Sequence, residues 1–261
     1  MSGLAERRAL AAKLIAAVRD RAVLAPQPAE IPASLAEAEA VQDAVVAGTI
    51  RKIGAWKLGA TVKSVREGFG LERGFFGVLP AERVLPSGAE PPASDLPQAG
   101  VESEIAFRFG RDLDPRGAPW SAEEVRAAIT GVHPAIEVPQ TRFAALGQFG
   151  AFGLIADNGA SGLGIVGEGV ADWTPEELLD LRVSVSFDGA EAASGTGALV
   201  EGGPFGATVA FVALANARGY TIQTGQYVLT GSCTGCLQPP RPGLVRASFG
   251  RFGAVEMRVP A

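Results

Sequence analysis

The chain has 261 residues, a formal net charge of -5 at pH 7, and 47% apolar against 20% charged residues. That balance excludes a disordered chain, and the acidic excess excludes the basic face that nucleic acid requires. No apolar run approaches the ~20 residues of a membrane span, the segment Met1 to Arg21 carries charges unlike a secretion signal, and two cysteines make no disulfide framework; a cytoplasmic protein with a small-molecule partner is expected.

In chain order, residues 3–21 show helical spacing of Leu4, Leu10, Leu14, Ile15 and Val18. Prolines 26, 28 and 32 make a linker, and Ser34-Leu-Ala-Glu37 is a capping box that opens a second helix through about Ala47. The spacing then predicts a glycine-bounded strand over 54–59, a brief helix over 61–69 and a strand over 75–79. A strand follows over 101–109, then a helix capped by Ser121-Ala-Glu-Glu124 and ending at Gly131, then a strand over 132–138. Thr174-Pro-Glu-Glu177 starts a short helix. A hairpin turns at Asp188-Gly189 between strands 181–187 and 190–196. A helix over 205–217 stops at Gly219, and strands follow over 226–230, 243–249 and 254–259. Three stretches result: an N-terminal helical and short-strand part (1–85), a proline-rich crossing loop (86–100) and a β-rich body (101–261). Strands and helices do not alternate regularly, which favours a mixed α+β fold over a doubly wound sheet.

The strongest local feature is Val101-Glu-Ser-Glu-Ile105. Acids at i and i+2 of a strand project from one face. They mark either a solvated acidic edge or a pair held together by a hard divalent cation. In Pro134-Ala-Ile-Glu137-Val-Pro139 a lone acid interrupts an apolar strand, so Glu137 needs a metal or a partner such as Arg142 or Arg108. With no His or Cys among these ligands, Mg²⁺ or Mn²⁺ suits the trio better than zinc. Lys57, between Trp56 and Leu58, is either a surface lysine or a desolvated one with a lowered pKa that moves protons.

Three other features read as structural. Gly162-Leu-Gly-Ile-Val-Gly167 has the spelling of a dinucleotide fingerprint, but no convincing strand precedes it and no helix opens from it. Cys233-Thr-Gly-Cys236 reads as a buried or semi-buried thiol pair in a loop. His133, the single histidine, reads as a satisfied structural residue, which leaves no serine-hydrolase triad.

In order, Gly54-Ala-Trp-Lys-Leu-Gly-Ala-Thr61, Phe76-Gly-Val-Leu79, Val101-Glu-Ser-Glu-Ile-Ala106, Pro134-Ala-Ile-Glu-Val138, Ala156-Asp-Asn158 and Leu229-Thr-Gly-Ser232 resemble the 2-keto-4-pentenoate hydratase and 4-oxalocrotonate decarboxylase family of the fumarylacetoacetate hydrolase superfamily. The resemblance runs from the Leu35 to Gln42 helix almost to the C-terminus. It implies a mixed β-roll of the fumarylacetoacetate hydrolase C-terminal type with an N-terminal helical segment, in a homo-oligomer. It implies Mg²⁺ or Mn²⁺ on Glu102, Glu104 and Glu137, a catalytic Lys57, and a substrate pocket lined by Asp157, Asn158, Ser161, Thr230, Gly231 and Ser232. The implied activity is a lyase on 2-oxo acids. Hydration of a 2-hydroxypenta-2,4-dienoate-like substrate to a 4-hydroxy-2-oxo acid comes first, and decarboxylation of a 4-oxalocrotonate-like acid second. A non-catalytic partner subunit is a third reading. Carbon–carbon hydrolysis ranks last, because the lone histidine is not placed to activate water. Phe75 and Gln140 stand where hydratases of the family commonly carry acids, which removes two general acid/base candidates but leaves the metal ligands.

Overall fold

The computed structural model describes residues 2–96 and 100–261; residues 97–99 of the expected crossing loop lie outside the described residues. The chain opens with helices α1 (Ser2–Asp20) and α2 (Leu35–Thr49), the latter capped by the Ser34 side chain accepting from the Glu37 amide. Then come β1 (Ile53–Gly59), α3 (Lys63–Gly68), β2 (Phe75–Pro80) and β3 (Val84–Pro86). The body holds β4 (Glu102–Phe109), α4 (Ala122–Ala128), β5 (Ile129–Val138), α5 (Gly150–Ala156), β6 (Leu163–Val166), α6 (Pro175–Asp180), β7 (Arg182–Phe187) and β8 (Ala190–Thr196). Helix α7 (Gly203–Ala217) and strands β9 (Tyr227–Ser232), β10 (Gly243–Ser248) and β11 (Ala254–Val259) complete it.

Seven strands form one sheet in the order β2-β1-β9-β4-β5-β6-β3, and β11-β10-β7-β8 form a second. Strands from both sides of the 86–100 loop therefore share a sheet. Alternation along the strands divides the large sheet into two faces. Trp56, Phe76, Val78, Ile105, Phe107, Ile136 and Val228 point to one side and join the main core with α7 and the smaller sheet. On the opposite side lie Ala55, Leu79, Ala106, Ala135 and Leu229. These mostly small side chains let the sheet curl tightly over its own inner face. Lys57, Glu104 and Glu137 are two residues along from Ala55, Ala106 and Ala135, so the alternation carries them onto that inner face, toward one end.

Besides the short strand β3, which the sequence reading lacks, the structure departs from that reading in three places. Helix α4 stops at Ala128, and β5 begins at once with buried Ile129 and exposed Thr130, β-branched residues that favour a pleated, half-buried strand. The Gly162 to Gly167 run contains strand β6, where Gly164 leaves room for Leu79 and Leu229 inside the curl. Helix α5 was not expected; it starts at a glycine with φ +63° and has no side-chain cap, so its sequence carries no start signal. Among the described residues, no helix is long and apolar enough to cross a membrane.

Candidate active site

Strand β4 lies between β9 and β5, antiparallel to both, with Glu102 opposite Glu137 and Glu104 opposite Ala135. The pairing puts all three carboxylates on one face and, with the tight curl, brings an oxygen of each within 4.8 Å of the others. Lys57 arrives from β1, where it pairs with Leu229 of β9 and Gly77 of β2. Its Nζ lies 3.0 Å from Glu137 Oε1. Glu104 and Glu137 are 0% exposed and Lys57 6%, whereas Glu102 is half-buried.

The surrounding groups do not neutralise this cluster. The Gly231 amide donates to Glu104 Oε2 at 2.7 Å, but Glu104 Oε1 and Glu137 Oε2 are buried with no hydrogen-bond donor from outside the trio among the described residues. Burial, then repulsion from Glu137 and Glu102, pushes the Glu104 carboxyl well above its usual 4.5. Burial likewise raises Glu137, to about 7, against the pull of Lys57. Burial alone would lower Lys57, but Glu137, Glu102 and Glu104 outweigh it, and its pKa lies above the usual 10.5. Of the two sequence readings of Lys57, the buried one holds, but its pKa moves up rather than down: beside the metal-free trio Lys57 stands as an ammonium.

Orphaned buried carboxylate oxygens converging from two adjacent strands are the donor set of a hard divalent cation. Two oxygens on opposite sides of one such ion stand up to about 5 Å apart, given ~2.0–2.6 Å ligand distances, which this cluster satisfies. Glu102, Glu104 and Glu137 therefore fit a hard divalent cation.

A cavity of about 580 Å³ opens from this cluster and is lined by Lys57, Glu102, Gly231 and Ser232 among others. The other expected pocket residues turn inward. Asp157 accepts from Thr141 Oγ1, the Arg142 amide and Arg142 Nε. Asn158 clamps β2 through the amide and carbonyl of Val78. Ser161 Oγ donates to the Asn158 carbonyl and Thr230 Oγ1 to the Ile105 carbonyl. Their polar atoms serve the scaffold, and it is their neighbours Gly159 and Ala160 that reach the cavity. Arg142, the suggested partner of Glu137, is held by Asp157 and the Ser161 carbonyl. Arg108 is exposed, with its guanidinium 6.0 Å from the Tyr227 ring.

Gly77 explains how Lys57 fits. A Cβ there would overlap Ser161 Oγ and the Asn158 carbonyl and stand 3.2 Å from Lys57 Cδ. Sequence reasoning missed Gln42, whose buried amide donates to the Phe76 carbonyl at 2.6 Å. It also missed Thr61, packed against Gly231 (φ +108°). Neither has a local signal, since both act across long sequence separations. Cys233 is buried, but Cys236 is exposed beside the cavity, so the pair is split rather than uniformly buried. His133 accepts its structural role: Nδ1 is 2.9 Å from the Gly167 carbonyl and the ring stands edge-on to Tyr227.

No protein-family model matches the sequence. The TodF product hydratase of Pseudomonas putida is 33% identical over 196 residues, 73% of this chain and 69% of the relative. A 4-oxalocrotonate decarboxylase of a Pseudomonas species is 30% identical over 226 residues, 84% of this chain and 85% of the relative. The structure of 4-oxalocrotonate decarboxylase from Pseudomonas putida G7, complexed with magnesium and adipate, superposes with a TM-score of 0.84 at 26% identity and covers 96% of each chain. With these relatives matching most of its length and with a curled sheet of the same type, the chain belongs to the 2-keto-4-pentenoate hydratase and 4-oxalocrotonate decarboxylase family, on the fold of the fumarylacetoacetate hydrolase superfamily.

Proposed function

We propose that this protein is a divalent-metal-dependent lyase that hydrates a 2-hydroxy-2,4-dienoate to a 4-hydroxy-2-oxo acid. One observation carries the reading: Glu102, Glu104 and Glu137 converge beside Lys57 at the inner end of a cavity. Glu102, Glu104 and Glu137 would hold Mg²⁺ or Mn²⁺, which when bound supplies a Lewis acid for the oxygen next to the substrate carboxylate. Lys57, protonated and 3.0 Å from Glu137, delivers a proton to the terminal carbon as the dienol ketonises. Water then adds at C4 and gives one proton back to the Lys57 and Glu137 pair, while C3 takes up a proton equivalent to the one the 2-hydroxyl loses on ketonisation. Ser232 and the backbone at Gly231 line the site, the Gly231 amide holding Glu104 and the Ser232 hydroxyl bracing the turn at Gly235. The buried apolar side chains behind the cluster, Ala55, Leu79, Ala106, Ala135 and Leu229, keep bulk water from the proton relay.

Decarboxylation of a 4-oxalocrotonate-like acid is the second reading, favoured by apolar Phe75 on the cavity wall. Both reactions use the same trio and the same lysine. A non-catalytic subunit is disfavoured, since it has no need of a buried acidic trio. The proposal includes a cytoplasmic homo-oligomer.

The test is incubation with Mg²⁺ and either 2-hydroxypenta-2,4-dienoate or 4-oxalocrotonate. Loss of the dienol ultraviolet band without CO₂ supports hydration, and CO₂ release supports decarboxylation. Inertness toward both, in protein that retains its metal, overturns the lyase reading.

A further inference from the structure

We infer that the cavity selects 2-oxo acids whose remote end is an uncharged, apolar tail, and rejects those ending in a second carboxylate. The inference rests on the function proposed above, because that reading places the acid end of the substrate at Lys57 and Glu102.

Three observations carry it. First, the space is too large for the chemistry alone. About 580 Å³ lies within the roughly 300–1,000 Å³ that holds drug-sized ligands, and a five-carbon acid fills little of it. The remainder runs outward between Val65, Phe69, Phe75, Leu146, Leu154 and Leu199.

Second, that outer part offers an anion no countercharge. Among the described residues that line the cavity, Lys57 is the sole cation, and it belongs to the acidic end. The nearest arginine on α3, Arg66, is paired with Glu201, and Lys63 is 68% exposed and pairs along the helix with Glu67. Arg142 is held by Asp157. The cavity's other donors, the hydroxyls of Thr61, Ser194, Ser232 and Thr234, are neutral, so a terminal carboxylate placed among the apolar side chains would lose water and meet no countercharge.

Third, the rim is apolar where it meets solvent. Val65, Leu146 and Leu199 are 47%, 37% and 45% exposed, half of the six large apolar side chains so exposed among the described residues. Single exposed apolar residues need no explanation, but three gathered at one concave mouth mark a surface that binds something apolar. The continuity of this mouth with Lys57 and Glu102 points to the tail of the same substrate.

The test is calorimetric titration of the Mg²⁺-loaded protein with saturated, unreactive 2-oxo acids: 2-oxobutanoate, 2-oxohexanoate, 2-oxooctanoate and 2-oxoadipate. Burial of the tail tightens binding about two- to fourfold per methylene. 2-Oxoadipate, which replaces the terminal methyl of 2-oxohexanoate by a carboxylate, binds at least about tenfold more weakly than it. Val65→Arg, at an exposed helical position, should strengthen 2-oxoadipate binding and flatten the dependence on tail length. A flat series, or 2-oxoadipate binding as tightly as 2-oxohexanoate, overturns the inference while leaving the proposed chemistry standing; the exposed rim would then be a contact between copies of the chain. Failure of every 2-oxo acid to bind overturns both.

Discussion

Glu102 and Glu137 sit directly opposite one another across the β4–β5 ladder, two acids in one cross-strand pair. Like charges so placed repel, and Glu104, two residues along β4, adds a third on the same face. Lys57 offsets one of the three, at 3.0 Å from Glu137. The remaining excess is what a divalent cation would balance, and it dictates how the site responds to mutation, pH and chelation.

Replacing one acid should separate stability from function. Glu104→Gln removes a buried, repelled carboxylate, so the chelator-treated protein should gain about 1–3 kcal/mol in urea unfolding. The same substitution should weaken Mn²⁺ binding, and the lyase activity, by at least about 100-fold. A loss of stability in the metal-free state would contradict the account of Glu104 as a destabilised group.

The pH dependence of the metal-free protein follows from the sign of the shifts. Folded Glu137 titrates at about 7 and Glu104 well above 4.5, against about 4.5 in the unfolded chain. Between those values the folded state binds more protons, so these groups make stability fall as pH rises from about 4.5 to about 7. Lys57 is raised from 10.5 and acts only in the alkaline range. His133, held below 6.5 chiefly by burial, works in the opposite direction in acid. The diagnostic quantity is thus the Tm difference with and without Mn²⁺, which should widen from about pH 5 to about pH 7.5 as protons cease to compete for the ligands. A difference that does not change with pH would count against the assignment.

Lys57→Met leaves Glu137 buried without its ion pair. It should cost about 3–5 kcal/mol in the metal-free protein, less with Mg²⁺ present, and lower kcat by roughly 10²–10⁴. Metal content should persist, which separates a lost proton donor from a lost cation. Lys57→Arg should not restore the rate, because a rigid planar fork does not match the channel past Gly77.

Asp157→Asn tests the scaffold role of that residue. It leaves Arg142 without its anion and should lower Tm through a loss of about 3–5 kcal/mol. KM and Mn²⁺ affinity in the protein that remains folded should change little. A raised KM at unchanged Tm would instead return Asp157 to the substrate pocket.

Gly77→Ala forces a methyl into the space of Ser161 Oγ and the Asn158 carbonyl. The expected result is a loss of about 1–3 kcal/mol and a lower kcat with metal affinity retained, since Lys57 moves and the trio does not. Equal kcat in wild type and variant would show that the close approach is not needed.

The chemistry-bearing residues were legible because their signals are local. Acids two apart in an apolar strand must share a face, and a carboxylate inside Pro134-Ala-Ile-Glu-Val138 must find a partner. The paired glycines and capping boxes announced most elements for the same reason. Helix α5 and strand β6 escaped, because the former has no cap and the latter is four residues stabilised by its neighbours β3 and β5. The direction of the Lys57 shift is not legible in the sequence, because burial is one cause among several, and the carboxylates that outweigh it come from other strands.

Residue types and spacing were enough to put two acids on one strand face, to single out a third acid and a lysine, and to give an α+β frame. Which groups meet was decided by the curl of the sheet, which brings β1 and β5 together across two intervening strands. The same curl turned Asp157, Asn158 and Ser161 into braces, and collected Val65, Leu146 and Leu199 at the mouth of the cavity. Spacing along a strand is a property of the backbone alone, whereas contacts between distant segments depend on how the whole apolar interior packs.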